Sequence, residues 1–183
     1  EGIDADIQKG GEFNVAYTSA QEARIRAFAA SEQQWAHTDL ELLESSAAMA
    51  KINIAHTRAA VWHPHCARIQ PAKLVAGLAD AVEGAGVEIY ERTRAVEIAP
   101  HRVRTTHGTV SADTVVRATE GFTANLAGLH RLWLPMNSSL IATEPLSAEV
   151  WDELNWSQGE TLGDFAHVYM YAQRTADDRI AIG

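Results

Sequence analysis

The segment His63-Pro64-His65-Cys66 gathers residue types that bind metals or attack carbonyl carbons. On an extended backbone, His63 and His65 stand two apart and project to the same side, as two ligands of one ion would, with His37 and His56 as further candidates. No Cys-x-x-Cys, His-Glu-x-x-His or aspartate-rich loop accompanies them, and a chain with 8 histidines yields close pairs by accident, so no metal is expected. Cys66 follows His65 directly, and adjacent residues of a strand face opposite ways, so a thiolate paired with an imidazole is not implied. Ser138-Ser139 lacks the Gly-x-Ser-x-Gly elbow that exposes a nucleophile. Neither Gly-x-x-x-x-Gly-Lys nor Gly-x-Gly-x-x-Gly occurs, so no familiar phosphate-cradling loop is encoded.

A more informative pattern is His167-Val-Tyr-Met-Tyr-Ala-Gln173. The two-residue period of a strand puts His167, Tyr169, Tyr171 and Gln173 on one polar, aromatic face and Val168, Met170 and Ala172 on the other. Such a face lines a substrate pocket or forms the solvated side of a sheet, and both readings stand. The run 135–143 alternates in the same way, with Asn137, Ser139, Ile141 and Thr143 on one side.

These residues need elements to hold them. Lys9-Gly10-Gly11 reads as the turn of a hairpin within residues 7–17. Ser19, with Glu22 three residues on, reads as the N-cap of a helix reaching about His37, and 39–50 as a second, weaker helix. Residues 57–70 are extended. Pro71 opens a helix whose buried face is Leu74, Leu78, Ala81 and Val82 and which stops at Gly84 and Gly86. Short strands are expected at 87–90, 93–98, 102–106 and 110–118, the last with an apolar centre suited to a strand buried on both faces. It empties into Glu120-Gly121-Phe122, and a strand ending in a small-residue turn before a helix is where α/β sheets put cofactors. Strand 135–144, a short helix at 147–154, and a pairing of 167–173 with 179–182 across Ala176-Asp177-Asp178 complete the reading.

With 183 residues, 46% hydrophobic and 21% charged, the chain can bury the core of one domain or two small lobes. A net charge of −9 without a basic patch argues against a nucleic-acid partner. No stretch approaches the roughly 20 consecutive apolar residues of a spanning helix, so a soluble chain without a membrane partner is expected. The lone Cys66 cannot form an internal disulfide, which favours a reducing compartment and the cytoplasm. The chain opens on Glu1 and closes on Arg179-Ile-Ala-Ile-Gly183 inside a strand pattern, so both ends are expected to be cut.

In order and spacing, four stretches resemble the FAD-dependent oxidoreductases of the D-amino-acid oxidase, glycine oxidase and sarcosine oxidase family, above all its gamma-glutamylputrescine oxidase-like branch. They are Ala67-Arg-Ile-Gln-Pro-Ala-Lys-Leu-Val-Ala-Gly-Leu78, Gly86-Val-Glu-Ile-Tyr-Glu-Arg-Thr-Arg-Ala-Val96, Thr106-His-Gly-Thr-Val-Ser-Ala-Asp-Thr-Val-Val-Arg-Ala-Thr119 and Pro135-Met-Asn-Ser-Ser-Leu-Ile-Ala-Thr-Glu-Pro145. The resemblance implies a mixed α/β and α+β fold, with an antiparallel-sheet substrate lobe bearing helices and part of an FAD-binding Rossmann-like lobe. The expected division is 1–62 in the substrate lobe, 63–131 in the partial FAD lobe with its β-meander, and 132–183 in the substrate lobe again.

The resemblance further implies FAD, with the backbone of Val96 near its adenine end and Ala118, Thr119 and Gly121 near its phosphates. Glu120 stands where many relatives have glycine, and its carboxylate would repel a pyrophosphate unless turned away. The glycine-rich strand-turn-helix of the family precedes the first residue, so this segment alone is expected to bind FAD weakly or not at all. The implied chemistry of the intact enzyme is hydride transfer from the carbon bearing an amine or amino-acid nitrogen to flavin, giving an imine that water hydrolyses. His167, Tyr169, Tyr171, Asn137 and Ser139 are the expected substrate-lining residues, on strand faces and lobe assignment, while catalytic residues are not assigned. The competing reading is a non-redox amine-binding module on the same scaffold; a hydrolytic metal site at His63 and His65 ranks last. Substrate identity, oxidase against dehydrogenase, and oligomeric state are not encoded in any motif present.

Overall fold

Polar and apolar residues alternate along Glu12–Ala16, and that alternation sets up the larger of two structural units. A computed structural model describes residues 2–156 and 159–183, which fall into a unit of Glu1–Leu78 with Ser139–Gly183 and a unit of Ala79–Ser138. In chain order the elements are β1 (Gln8–Lys9), β2 (Glu12–Ala16), α1 (Ser19–Glu32), β3 (Glu41–Glu44), α2 (Ser45–Lys51), β4 (Ala59–His63), β5 (Ala67–Arg68) and α3 (Pro71–Gly84). There follow β6 (Ala95–Ala99), β7 (Arg102–Thr105), β8 (Thr109–Ser111), a 3₁₀ turn at Glu120–Asn125, β9 (Ile141–Ala142), α4 (Ala148–Leu154), β10 (Thr161–Asp164), β11 (Tyr171–Arg174) and β12 (Ile180–Ile182).

The larger unit is built on a seven-stranded sheet of order β3-β4-β2-β10-β11-β12-β9. All its pairs are antiparallel except β2 with β10, which run parallel with Glu12 opposite Thr161 and Val15 opposite Asp164. The expected antiparallel lobe is therefore a mixed sheet, because the chain returns to β2 from far away rather than through a hairpin. Phe13, Val15, Ala60, Leu162 and Ala172 share one buried cluster with Ala48 and Ile52 of the α2 region and with Trp151 and Trp156. Ala16, Ala59 and Val61 belong to a second cluster, with Ile25 and Ala29 of α1 and with Leu40. Strand alternation thus feeds two cores on opposite faces.

Several expectations change. Gly10 and Gly11 do turn the chain, but β1 pairs with β5 and β2 with β4 and β10, so no hairpin forms. Helix α1 begins one residue earlier in its logic: Thr18 is the cap, its side chain accepting from the Gln21 N–H while Gln21 returns the bond. It ends at Glu32, and residues 39–50 divide into edge strand β3 and helix α2, because Glu41–Glu44 finds a ladder on β4 that outweighs its helical spacing. The strand of 167–173 shrinks to Tyr171–Arg174, and that of 135–144 to Ile141–Ala142, each limited to where β12 offers a partner. The β11–β12 pairing itself stands as expected, with Ala172 opposite Ile182.

The smaller unit is a meander of order β6-β7-β8. Its register slips between Ala95 and Glu97, so Val96 is an extra residue bulged out of the ladder with β7. Residues 87–90 and 113–119 are not strands, and Val116 is 83% exposed, because no neighbouring strand among the described residues offers them a ladder. The stripe expected to be the buried face of α3 is likewise open: Leu78 and Val82 are exposed, and the helix has no buried residue.

Candidate functional site

On the α1 side of the large sheet, β2 turns Glu12 and Asn14 away from the Phe13 core. β4 contributes Val61 and His63 on that side, α1 contributes Arg24 and Phe28, and the loop after β10 contributes Phe165, His167 and Tyr169. Together they line an open cavity of about 610 Å³. A second cavity of about 280 Å³ continues over the sheet, floored by Thr161, Gly163 and Ala181 and walled by Tyr169, Tyr171 and Gln173. Glu12, Asn14, Asp164 and Tyr169 line both. Gly163 is the closest point of the floor, since a side chain there would collide with the Asn14 amide, and that amide donates to Glu12 Oε1 at 2.9 Å.

The loop 165–170 is tied down at both ends. Asp164 Oδ1 accepts from the backbone N–H groups of Ala166 and Met170, each at 3.2 Å. Its Oδ2 accepts from the Tyr17 hydroxyl at 2.6 Å and from Gln21 Nε2 at 3.4 Å. Burial, then this hydrogen bond and the charge behind it, push the Tyr17 hydroxyl well above the usual phenol range. Arg24 Nε donates to the Phe165 carbonyl at 2.9 Å, and the Phe28 and Phe165 rings lie 5.5 Å apart. The cavity therefore has aromatic walls, carboxylates at Glu12, Glu32 and Asp164, and imidazoles at His63 and His167. That combination suits a small amphipathic molecule carrying a hydrogen-bond donor or a positive charge.

His63 and His65 do face each other, with ring centres 5.1 Å apart. His65 Nε2 pairs with Asp39, whose carboxyl is held below its usual range by that bond and by the imidazoles of His63 and His37. Among the described residues no three His, Cys, Asp or Glu side chains come together as a metal site. Cys66 is a free thiol with its sulfur 3.5 Å from the Thr161 hydroxyl, and its neighbour His65 is turned to Asp39.

Of the residues expected to meet substrate, His167 lines the first cavity, Tyr171 the second and Tyr169 both. Ser139 comes near through its carbonyl, which shares with the Tyr171 ring the space beside Gly183. Asn137 lies in the smaller unit and is exposed. Of the residues expected to meet a cofactor, Val96 is the bulged residue, so its backbone is released from regular pairing, as a backbone contact to a ligand requires. Thr119 and Thr123 share a hydroxyl hydrogen bond of 2.7 Å that fixes the turn after Ala118, and Gly121 has open space where a side chain would stand. Glu120 in that turn has φ 41°, a left-handed conformation that glycine adopts without cost. These residues fit one flank of an FAD site; a glycine-rich pyrophosphate loop is not encoded in the 183 residues.

Glu12, Asn14, Arg24 and Asp164 were not singled out by any motif. Glu12 and Asn14 carried a signal, since polar residues alternating with Phe13 and Val15 mark an open face opposite a core. Asp164 carried none, because its role depends on a loop and a helix more than 140 residues apart in sequence.

Comparison with known proteins extends over the full chain. The family DAO, FAD dependent oxidoreductase, matches residues 1–183. A probable oxidoreductase OrdL of Rhizobium meliloti (strain 1021) is 26% identical over 179 residues, covering 94% of this chain and 41% of that protein. A probable oxidoreductase OrdL of Haemophilus influenzae is 31% identical over 124 residues, covering 63% of this chain and 28% of that protein. Among solved structures, glycine oxidase from Bacillus cereus matches with TM-score 0.76 and 20% identity over 100% of this chain and 50% of that one. L-proline dehydrogenase from P. horikoshii matches with TM-score 0.75 and 15% identity over 98% and 49%. The chain thus spans about half the length of the structures it matches, and less of the curated relatives. With the family matched from first residue to last and the fold shared, this chain belongs to the DAO family of FAD-dependent oxidoreductases.

Proposed function

We propose that these residues form the substrate-binding portion, with part of the cofactor flank, of an FAD-dependent enzyme that oxidises the C–N bond of a small amine or amino acid. The observation that carries this reading is the paired cavity over the α1 side of the sheet, with Tyr169 and Tyr171 as walls and Glu12 as an acceptor. FAD, when bound, would supply the two-electron oxidation of the C–N bond to an imine, which water then hydrolyses. The chain's own residues bind and orient. His167, Tyr169 and Tyr171 pack against the substrate and shed water from it, with Ser139 and Asn137 as further contacts, while the Glu12 carboxylate accepts from an ammonium or amine N–H. The bulged backbone at Val96 and the turn of Ala118, Thr119 and Gly121 would hold the adenine and phosphate portions of FAD. The 183 residues alone bind FAD weakly or not at all. A lone free thiol at Cys66 fits a reducing compartment such as the cytoplasm.

One observation favours a second reading, a non-redox amine-binding module. Glu120 puts a carboxylate in the turn that would meet phosphate, in a conformation that suits glycine. The test is the visible spectrum of the protein purified from the complete reading frame containing these residues. A flavin spectrum that bleaches anaerobically with a primary or secondary amine is expected. A colourless protein that stays colourless after FAD is added would sink the redox reading in favour of the binding module.

A further inference from the structure

We propose that Asp164 is a positioning residue: by latching the loop 165–170 to the start of α1, it presets the wall that His167 and Tyr169 present to substrate. This rests on the reading of the two cavities as the amine site. A carboxylate has about four lone-pair positions, and Asp164 has four donors, two on each oxygen. Two of those donors, the N–H groups of Ala166 and Met170, bracket the segment that carries His167 and Tyr169. The other two, Tyr17 and Gln21, belong to the entry into α1, and Gln21 is itself fixed because its Oε1 accepts from the Tyr17 and Thr18 N–H groups.

The latch therefore joins the end of β10, the first turn of α1 and the far end of the loop at Met170, whereas the other ties from α1, Arg24 to the Phe165 carbonyl and Phe28 against the Phe165 ring, reach only the start of the loop. The loop needs such a device. His167, Val168 and Tyr169 are exposed and belong to no strand, so neither burial nor a sheet ladder defines their conformation. Burial and the neighbouring Asp164 carboxylate hold the Tyr17 hydroxyl above the usual phenol range, so it stays protonated, and a donor to the latch, into alkaline pH.

The test uses the full-length protein, Asp164→Ala, Asp164→Asn and Tyr17→Phe, and two separate readouts. In hydrogen exchange, Asp164→Ala is expected to speed the Ala166 and Met170 amides at least tenfold relative to the amides of β2. Asp164→Asn, which keeps an acceptor at Oδ1, restores most of that protection. Tyr17→Phe, which keeps the ring and loses one bond, guards against a failure of Asp164→Ala to fold and gives a smaller change in the same direction. In steady-state kinetics with the amine that bleaches the flavin, Asp164→Ala raises KM at least fivefold with kcat within about twofold. Unchanged protection at Ala166 and Met170 would overturn the latch. So would equal loss of protection across the whole sheet, or a loosened loop with wild-type KM. The exchange readout needs no substrate, so a wild-type protein that no amine reduces would refute the oxidase reading alone.

Discussion

The guanidinium of Arg174 lies over the ring of Trp151, 4.2 Å from its centre. The same side chain donates through Nε to Asp178 at 2.9 Å and through Nη1 to the Trp156 carbonyl at 3.1 Å, while Trp156 meets Trp151 edge to face at 6.1 Å. One arginine on β11 thereby fastens the β11–β12 turn, α4 and the chain after it to the core face of the sheet. Arginine does this because its plane stacks while its edge donates. Arg174→Ala is expected to cost about 2 kcal/mol, and Arg174→Lys about half that, from lost stacking and hydrogen bonding. Urea unfolding of the three proteins measures the difference; an unchanged midpoint for Arg174→Ala would show the contacts to be decorative.

Phe13 is fully buried at the centre of the sheet, between β4 and β10. Phe13→Ala should destabilise by roughly 3–5 kcal/mol, because the flanking strands cannot collapse into the space. Phe13→Leu should lose much less. Thermal unfolding followed by circular dichroism distinguishes the two.

Glu120 has φ 41°, so Glu120→Gly should stabilise the turn by about 1 kcal/mol by relieving a left-handed conformation. If the turn meets the FAD phosphates, the same change removes a repelling charge and tightens FAD binding in the full-length protein. Titration of the apoprotein with FAD, followed by flavin fluorescence, tests this. Unchanged binding by Glu120→Gly would show that the carboxylate points away from the cofactor.

Glu22 receives Arg58 Nε at 2.6 Å and Arg26 Nη2 at 3.1 Å, and these two bonds hold its carboxyl below the usual range. A depressed folded-state pKa means the contribution is present above the unfolded carboxylate value and is lost as pH falls through the folded value. The stability difference between wild type and Glu22→Gln should therefore be constant from pH 7 to about 5 and shrink on further acidification. A difference that grows toward acid would have the wrong sign for this linkage.

The parts of this structure that were readable from the sequence are those whose cause is local. The start of α1, read one residue late at Ser19, Pro71 at the head of α3, the helix after Ser147 and the β11–β12 turn all lie within a few residues of what makes them. The alternation that placed Tyr171 and Gln173 on one face is local too, and both do line a cavity. Residues 39–44 went the other way, since their helical spacing yields to a ladder on β4 that no window around them contains. Tyr169 and His167 reach the cavity from a loop instead of a strand, held by Tyr17 and Gln21 far upstream. Likewise Val96 was marked by resemblance, but its bulge depends on pairing with β7.

The parallel pairing of β2 with β10 carries a consequence for biosynthesis. β2 emerges from the ribosome roughly 150 residues ahead of its neighbour, and at about 5–20 residues per second it waits on the order of ten to thirty seconds with one edge unsatisfied. During that wait, β3, β4 and α1 can already assemble on the Ala16 face of β2, leaving a three-stranded nascent sheet whose bare margin is the strand that carries Phe13. A chaperone that shields strand margins, or a pause in translation before residue 161, would protect this chain at the step where it is most prone to misassemble.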